Sequence, residues 1–195
     1  MEIYFKSALL VLVLIQMLIR GYYVQKYFLL RRQVLFNIHK RREILSSIGL
    51  GIVYFVPIFT WCFSDIYTFA QINFVTCLRF WGIGLGVFSI GCFYKAHQAL
   101  GNHWSPFLEV KQQHKLVKKG VFKYVRHPMY SSLLIGVVGI LFLTGNYAVF
   151  GIVGLGVSIF IIIRLKDEEL LMQKIFGVEY KNYCKETKCL IPFIW

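Results

Sequence analysis

Long apolar runs alternate with short polar connections along this chain. Five of the runs carry almost no charge, and the connections between them are rich in lysine and arginine or in turn-forming residues. Because about 20 apolar residues are needed to cross a hydrocarbon core of roughly 30 Å, these runs predict membrane-spanning helices. The predicted spans cover residues 3–19, 44–63, 72–93, 130–143 and 147–163.

The last two runs are short and nearly continuous, so their separation depends on the residues between them. As one helix they would be about 51 Å long, which is too long for a single crossing. Thr144-Gly145-Asn146 carries a turn signal between them. We therefore expect a tight helical hairpin that is tilted or that begins below the membrane surface near His127.

Two further patterns concern how helices pack. Gly82, Gly84 and Gly86 lie within the third run without a preceding strand, so they predict close helix approach rather than a dinucleotide site. After the fifth run, apolar residues recur at helical spacing between charged ones, and this predicts an amphipathic helix over 167–185 that Gly177 can interrupt.

The composition supports the same class of protein. The 195 residues are 57% hydrophobic and 16% charged, and the mean hydropathy is +0.61. A soluble domain of this length cannot bury so much apolar surface. The predicted fold class is therefore all-α integral membrane, with five transmembrane helices, a cytosolic cofactor pocket and a C-terminal amphipathic helix. We expect one domain over 1–195.

The net charge of +13 follows the predicted topology. Twenty of the 22 lysines and arginines lie in three segments, 20–42, 95–126 and 164–188, which fall on one side of a five-span protein. The positive-inside rule makes that side cytoplasmic. We therefore expect the N-terminus outside, with loops 20–43 and 95–128 and the C-terminus cytoplasmic. The charge indicates contact with anionic membrane lipid and argues against nucleic acid as a partner.

The five cysteines do not suggest a metal or disulfide framework. They are divided between the predicted spans and the C-terminal segment, and no C-x-x-C pair occurs. We expect reduced thiols and no bound metal.

Two polar clusters flank the predicted hairpin. Arg126 and His127 directly precede Pro128, which suits the first turn of a helix, where free N–H groups and the helix dipole favour an anion. Tyr130 follows on that turn. The second cluster is formed by Arg164, Glu168 and Glu169, and one of the glutamates shares the helical face of Arg164. Together they suit S-adenosylmethionine, which carries a carboxylate, an ammonium group and an aromatic ring. Taken singly, each cluster is also typical of a charged helix flank, so spacing leaves both interpretations open.

Further motifs occur in a fixed order between residues 94 and 192. They are Leu100-Gly101-Asn102-x-Trp104-Ser105, His114-x-Leu116-Val117-x-x-Gly120, Arg126-His127-Pro128-x-Tyr130, Arg164-x-x-x-Glu168-Glu169, Phe176-Gly177 and Tyr180-x-x-Tyr183. In order and spacing, this region resembles the isoprenylcysteine carboxyl methyltransferase family, and most of all its short five-span prokaryotic members.

The resemblance implies an S-adenosylmethionine-dependent carboxyl O-methyltransferase. The cofactor would lie in a cytosol-facing pocket between the last two spans, the preceding loop and the C-terminal helix. The acceptor would be the carboxylate of a prenylated cysteine or a similar lipid-soluble molecule that enters from the membrane. Arg164 and Glu168 are the implied catalytic residues. The expected cofactor-binding residues are His114, Leu116, Val117, Arg126, His127, Tyr130, Glu168 and Glu169.

Other functions remain open at this point. Similar membrane scaffolds serve NADPH-dependent reductases of the sterol-reductase type. A non-enzymatic membrane adaptor would also suit basic cytoplasmic loops. Within the methyltransferases, the acceptor can instead be another lipid-soluble carboxylate, a thiol or a phospholipid amine.

Overall fold

The computed structural model describes residues 1–30, 34–37, 40–111 and 116–192. Within these residues the chain forms six α-helices, one pair of short strands and three single turns of 3-10 helix. The helices are α1 (Glu2–Leu29), α2 (Lys40–Phe63), α3 (Thr76–Leu100), α4 (Pro128–Thr144), α5 (Tyr147–Phe176) and α6 (Val178–Glu186), and the strands are β1 (Val34–Asn37) and β2 (Glu109–Lys111).

Four of the helices, α1, α2, α3 and α5, are long and apolar enough to cross a membrane. The remaining predicted span, 130–143, corresponds to α4, whose 17 residues reach about 26 Å and so fall slightly short of a 30 Å hydrocarbon core. Large apolar side chains such as Leu18, Ile52, Phe88 and Ile162 are exposed along these helices. In water such a surface would be unfavourable, so the helical, multi-pass membrane architecture predicted from the sequence is confirmed.

Several helices extend beyond the apolar runs that predicted them. Helix α1 continues to Leu29, into the predicted loop 20–43, and α3 covers Thr76–Leu100 rather than 72–93. Helix α5 continues through the charged residues to Phe176. The expected separate helix over 167–185 is therefore corrected: its first ten residues belong to α5, and α6 follows Gly177, whose φ of +52° ends α5. Hydropathy marks where a helix leaves the membrane, whereas lysine and glutamate are good helix formers and continue it.

The two strands add a small sheet to the predicted helices. β1 and β2 pair antiparallel, with an irregular register between Val34 and Phe36. The pair joins the α1–α2 connection to the α3–α4 connection. The α3–α4 connection includes the sequence positions of the predicted cofactor residues His114, Leu116 and Val117. The strand pair therefore ties the first half of the chain to the end of the bundle where the site lies.

Helices α4 and α5 form the predicted hairpin, and its turn follows local chemistry. Gly145 adopts a left-handed conformation with φ of +60° and ends α4, as glycine commonly does after a helix. Asn146 begins α5, because its side-chain oxygen accepts a hydrogen bond from Val149 N at 3.1 Å. The two helices consequently run antiparallel, and the start of α4 lies level with the middle of α5.

Close packing of α4 on α3 fixes the position of the hairpin. A Cβ on Gly82 would lie 2.4 Å from the backbone nitrogen of Leu143, so only glycine fits this crossing. About two turns further along, Ser89 donates a buried hydrogen bond of 2.7 Å to Ser132 O. Gly82 therefore serves helix packing, as predicted for this run, whereas a Cβ at Gly84 would have nothing within 4 Å. Between α2 and α5 the core is apolar and tightly closed, with Ile58, Val149, Val153 and Val157 fully buried.

Candidate functional site

The loop that leads into α4 is held by the C-terminal end of the chain. His127 precedes the helix and Pro128 occupies its first turn, as the sequence predicted. Arg126 N donates to Lys188 O at 2.8 Å, and His127 N donates to Cys189 O at 3.1 Å. Ser131 adds a hydrogen bond to Leu190 O at 2.6 Å. The C-terminal segment therefore fixes the position of the Arg126-His127 pair.

Glu169 of α5 is the centre of the first group of contacts. Its Oε1 accepts hydrogen bonds from Arg126 Nε at 3.1 Å, His127 Nε2 at 2.7 Å and Tyr180 Oη at 2.8 Å. Arg126 Nη2 also reaches Oε2 at 3.3 Å, so the guanidinium holds both carboxylate oxygens. This group joins the pre-α4 loop, α5 and α6 through one carboxylate.

Glu168 is the centre of a second group beside the first. Its Oε1 accepts hydrogen bonds from Tyr130 Oη and, at 3.2 Å, from Arg164 Nε. Its Oε2 lies 3.4 Å from His127 Nδ1. Side chains on a helix lean toward its N-terminus, so in antiparallel helices Tyr130 and Glu168 lean toward each other. The ring of Tyr130 also stacks on His127, with centroids 5.6 Å apart.

Arg164 connects these contacts to the first half of the chain. Its Nη1 donates to Pro106 O at 3.4 Å, and its Nη2 lies 3.6 Å from Glu43 Oε1. Glu43 belongs to the first turn of α2 and is only 3% exposed. Its other oxygen accepts a hydrogen bond of 2.5 Å from Leu108 N. We call the whole set the inner polar cluster, formed by Glu43, Arg126, His127, Tyr130, Arg164, Glu168, Glu169 and Tyr180.

The inner polar cluster perturbs the ionisation of its members. Burial alone would raise the pKa of Glu169, but hydrogen bonds from His127, Arg126 and Tyr180 outweigh it and lower the pKa to about 2. Burial alone would lower the pKa of His127, but its hydrogen bonds to Glu168 and Glu169 raise it above the usual value. Both ring nitrogens of His127 face carboxylates, which only accept, so the arrangement suits the imidazolium form.

Six of the predicted site residues come together in the inner polar cluster: Arg126, His127, Tyr130, Arg164, Glu168 and Glu169. Within the cluster, Arg126 and Glu169 are paired with each other. Arg164 lies inside α5 and is 9% exposed. The roles assigned to these residues stay predictions. Leu116 and Val117 are partly buried in the connection before α4, whereas His114 lies outside the described residues.

Glu43 and Tyr180 are the members that sequence reasoning did not assign to the site. Tyr180 belongs to the Tyr180-x-x-Tyr183 motif, but the motif did not indicate that its hydroxyl binds Glu169. Glu43 left a weak signal: it is an acidic residue that directly follows Lys40-Arg41-Arg42 and directly precedes an apolar run. An acid at the boundary of a span implies a nearby cation, and that cation is Arg164.

A metal ion does not fit this arrangement well, although some donor types are present. Donor atoms of His127, Glu169 and Cys189 lie within 4.8 Å of one another. The carboxylate of Glu169 already accepts hydrogen bonds from Arg126, His127 and Tyr180. The guanidinium of Arg126, 3.1 Å from this carboxylate, would repel a metal ion. These residues are therefore better explained as a hydrogen-bonded ion pair.

Comparison with known proteins connects this geometry to a family. A family model described as phospholipid methyltransferase matches residues 78–179, which include every member of the inner polar cluster except Glu43 and Tyr180. The chain is 33% identical over 87 residues to a probable protein-S-isoprenylcysteine O-methyltransferase of Oryza sativa subsp. indica, covering 45% of this chain and 46% of that protein. The predicted resemblance to isoprenylcysteine methyltransferases is confirmed.

Two other relatives are informative. Protein-S-isoprenylcysteine O-methyltransferase of Schizosaccharomyces pombe is 30% identical over 114 residues, which cover 56% of this chain and 48% of that protein. Methanethiol S-methyltransferase of Pseudomonas deceptionensis is 35% identical over 72 residues, which cover 37% of this chain and 26% of that protein. The alignments with the isoprenylcysteine methyltransferases span about half the length of those relatives.

A solved structure shares the fold. It is the eukaryotic intramembrane Ras methyltransferase ICMT (isoprenylcysteine carboxyl methyltransferase), with a TM-score of 0.56 and 21% sequence identity. The match covers 80% of this chain and 54% of that protein. At this identity the likeness concerns the arrangement of the helices.

Proposed function

Since the chain belongs to the phospholipid methyltransferase family, we propose that it is a membrane methyltransferase that uses S-adenosylmethionine. The proposed acceptor is the carboxylate of an isoprenylcysteine or a similar lipid-soluble molecule. The observation that carries the proposal is the inner polar cluster, in which the Arg126–Tyr130 motif and the Arg164–Glu169 motif meet at one end of the α4–α5 hairpin.

The charges of the cluster are compatible with this methyl donor. S-adenosylmethionine carries a sulfonium, an ammonium and a carboxylate, so its overall charge is positive. Three glutamates face two arginines and one histidine in the cluster, and Glu43 Oε1 is buried without a hydrogen-bond partner among the described residues. That oxygen can accept a hydrogen bond from an ammonium group, whose burial requires such a partner.

We assign the donor-binding role to residues on two sides of the cluster. Arg126, His127, Tyr130, Glu168 and Glu169 form its polar wall, and about a fifth of each of the two glutamate side chains is exposed. From the connection before α4 we propose Leu116 and Val117 as apolar residues of the donor site, and the family resemblance implies His114 as a further donor-binding residue.

The acceptor side of the reaction needs positioning more than acid–base chemistry. When bound, S-adenosylmethionine supplies an electrophilic methyl group on its sulfonium. A carboxylate is already ionised at neutral pH, so its oxygen can form the new O–C bond without losing a proton, and the C–S electron pair remains on sulfur. Arg164 has five N–H donors, and its contacts with Glu168 and Pro106 leave donors that can hold the acceptor carboxylate in line.

Two measurements on the detergent-purified chain test the proposal. Calorimetry against S-adenosylhomocysteine and NADPH separates the enzyme classes: binding of the first alone supports a methyltransferase, binding of NADPH alone supports a reductase, and binding of neither supports an adaptor. Transfer of a labelled methyl group to a farnesylated cysteine analogue then tests the acceptor. Methanethiol is the competing acceptor to include, because one relative is a thiol methyltransferase. Methylation of the thiol but not of the carboxylate would refute the acceptor assignment.

Arg164→Lys tests the catalytic assignment. Lysine keeps the charge but cannot hold two carboxylate oxygens in a fixed geometry. We expect methyl transfer to fall by about tenfold or more, as for the loss of one hydrogen bond to a charged group, while S-adenosylhomocysteine still binds. Lys166→Arg, at an exposed position of the same helix, is the matched control and should retain activity. Full activity of Arg164→Lys would make Arg164 an interfacial anchor and would contradict the assignment.

The proposed orientation follows from charge. Twenty of the 22 basic residues lie in the three segments at the cluster end of the bundle, so that end should face the cytoplasm, where the methyl donor is available. The N-terminus would then lie outside, and loops 20–43 and 95–128 and the C-terminus would be cytoplasmic.

A further inference from the structure

Glu43 is a buried carboxylate in the first turn of α2, and its burial requires a specific partner. An acidic residue in a first turn usually complements the helix dipole at the protein surface, yet this side chain is only 3% exposed. A buried carboxylate is costly unless it is paired and hydrogen-bonded. Its Oε2 accepts a hydrogen bond of 2.5 Å from Leu108 N. Its Oε1 lies 3.6 Å from Arg164 Nη2, which supplies the opposite charge.

The guanidinium of Arg164 faces a different part of the chain with each of its nitrogens. Nε donates to Glu168 Oε1 at 3.2 Å on the same helix, and Nη1 donates to Pro106 O at 3.4 Å. Nη2 faces Glu43 at 3.6 Å, which is beyond the usual hydrogen-bond distance, and Glu43 Oε1 has no hydrogen-bond partner in the described part of the chain. Glu43 therefore attracts Nη2 without using its N–H groups, which stay available to a ligand.

A second ion pair joins the same two helices and provides a comparison. Arg42, the neighbour of Glu43, pairs with Asp167, three residues after Arg164. The Arg42 side chain is 53% exposed, and such surface pairs contribute at most about 1 kcal/mol to stability. The outer pair therefore adds only to the contact of α2 with α5, whereas the inner pair also sets the direction of a guanidinium inside the inner polar cluster.

We propose that Glu43 is a positioning residue, which fixes the direction of the Arg164 guanidinium so that Nη2 presents its N–H groups to the acceptor carboxylate. The inference rests on the proposed function, since Glu43 acts through the residue assigned to the acceptor. It extends the catalytic machinery to α2, which lies outside the region 78–179 that the family model matches. Alignment of the acceptor oxygen is the main requirement of this reaction, and a misplacement of about 1 Å can lower a rate about a hundredfold.

Glu43→Gln separates the ion pair from the hydrogen bond. The amide oxygen of glutamine still accepts from Leu108 N, but the charge that faces Arg164 is removed. We expect kcat for methyl transfer to a farnesylated cysteine analogue to fall about tenfold or more. The acceptor KM should stay equal or decrease, because a negative charge near the acceptor carboxylate is lost. Asp167→Asn, which removes the outer pair between the same helices, is the matched control and should retain kcat.

A double variant tests whether Glu43 acts through Arg164. The ammonium of lysine is a point charge without a planar fork to orient, so adding Glu43→Gln to Arg164→Lys should cause no further fall in kcat. Additive losses would show that Glu43 acts independently of Arg164 and would refute the inference. Full kcat in Glu43→Gln, or an equal loss in Asp167→Asn, would also refute it. A parallel loss of S-adenosylhomocysteine affinity in Glu43→Gln would instead place Glu43 in the donor site, against the inference.

Arginine-selective nitrogen NMR of the detergent-solubilised chain measures the orientation without turnover. Separate signals from the two terminal nitrogens of Arg164, identified by their loss in Arg164→Lys, require a guanidinium with restricted rotation. We expect separate signals in wild type and Asp167→Asn, and one averaged signal in Glu43→Gln. Separate signals in Glu43→Gln, or an averaged signal in wild type, would overturn the inference. If the signals behave as expected but the wild type transfers no methyl group to the analogue, the proposed function fails while the positioning of Arg164 by Glu43 stands.

Discussion

Replacing Gly82 with alanine tests whether the α3–α4 crossing supports the site. The added Cβ would meet the Leu143 backbone nitrogen at 2.4 Å, whereas ordinary contacts of a Cβ begin near 3.4 Å. Backbone atoms cannot rotate away, so the two helices must separate by about 1 Å at this point. A gap of that size forfeits roughly a quarter to a half of the dispersion energy of the contacts that line it.

The expected cost follows from these contacts. Overpacking of this kind destabilises by about 1–3 kcal/mol, and the higher helix propensity of alanine offsets at most about 1 kcal/mol. Each kcal/mol lost corresponds to a decrease of about 2–4 °C in Tm for a chain of this size. Helix α4 also begins at Pro128, beside the inner polar cluster, so its displacement should weaken S-adenosylhomocysteine binding as well.

Gly84→Ala is the matched control, because nothing lies within 4 Å of a Cβ at that position. It changes the same residue type, two positions away in the same helix, and should leave Tm equal or slightly higher. Thermal unfolding of the two variants in one detergent measures the difference. Equal Tm values for Gly82→Ala and Gly84→Ala would refute the conclusion that the crossing is closed by backbone contact.

Two further predictions concern charge. Stability should decrease as pH rises above about 6.5, because the contribution of His127, whose pKa is raised, is present below the unfolded pKa and lost through the folded one. Glu169 also contributes to stability, because its pKa is lowered from 4.5 to about 2 in the folded protein. This contribution is fully present above about pH 4.5 and is lost as the pH falls from there toward about 2. Unfolding scans of wild type and His127→Gln check this, and identical profiles above pH 6.5 would contradict it. Cysteines introduced at the exposed positions of Lys118 and Lys181 should be labelled only from the cytoplasmic side, and a cysteine at position 65 only from the opposite side. Labelling of the cysteine at position 118 from the outside would reject the five-span topology.

The parts of the fold that were predictable depend on local chemistry. The turn at Thr144-Gly145-Asn146 follows from the conformational freedom of glycine and the capping ability of asparagine, and both are properties of single residues. Pro128 similarly indicated the beginning of α4. The end of α5 was not predictable from the apolar pattern, because Lys166, Asp167, Glu168 and Glu169 leave the membrane without ending the helix.

The parts that were not predictable depend on contacts between distant residues. The sequence indicated that Arg126 and Glu169 belong to one site, but not that they bind each other. Glu43 lies far from Arg164 along the chain, and only the packing of α2 on α5 brings them to 3.6 Å. Spacing describes neighbours on one helix, so it indicated that one of the two glutamates shares the face of Arg164. The contact of Glu43 with Arg164 depends on the folded bundle and could not be read from spacing.

The pairing within the inner polar cluster restricts how a ligand can bind there. Removing one partner of a buried ion pair leaves an uncompensated charge, which costs several kcal/mol. A cationic group that approaches Glu168 or Glu43 therefore has to complement their remaining acceptor capacity, since displacing Arg164 would leave that arginine unpaired. An anionic group is favoured instead where donors remain, and Arg164 keeps N–H groups beyond its contacts with Glu168 and Pro106. Within the inner polar cluster, the glutamates would thus suit the cationic methyl donor, and Arg164 would suit the carboxylate acceptor.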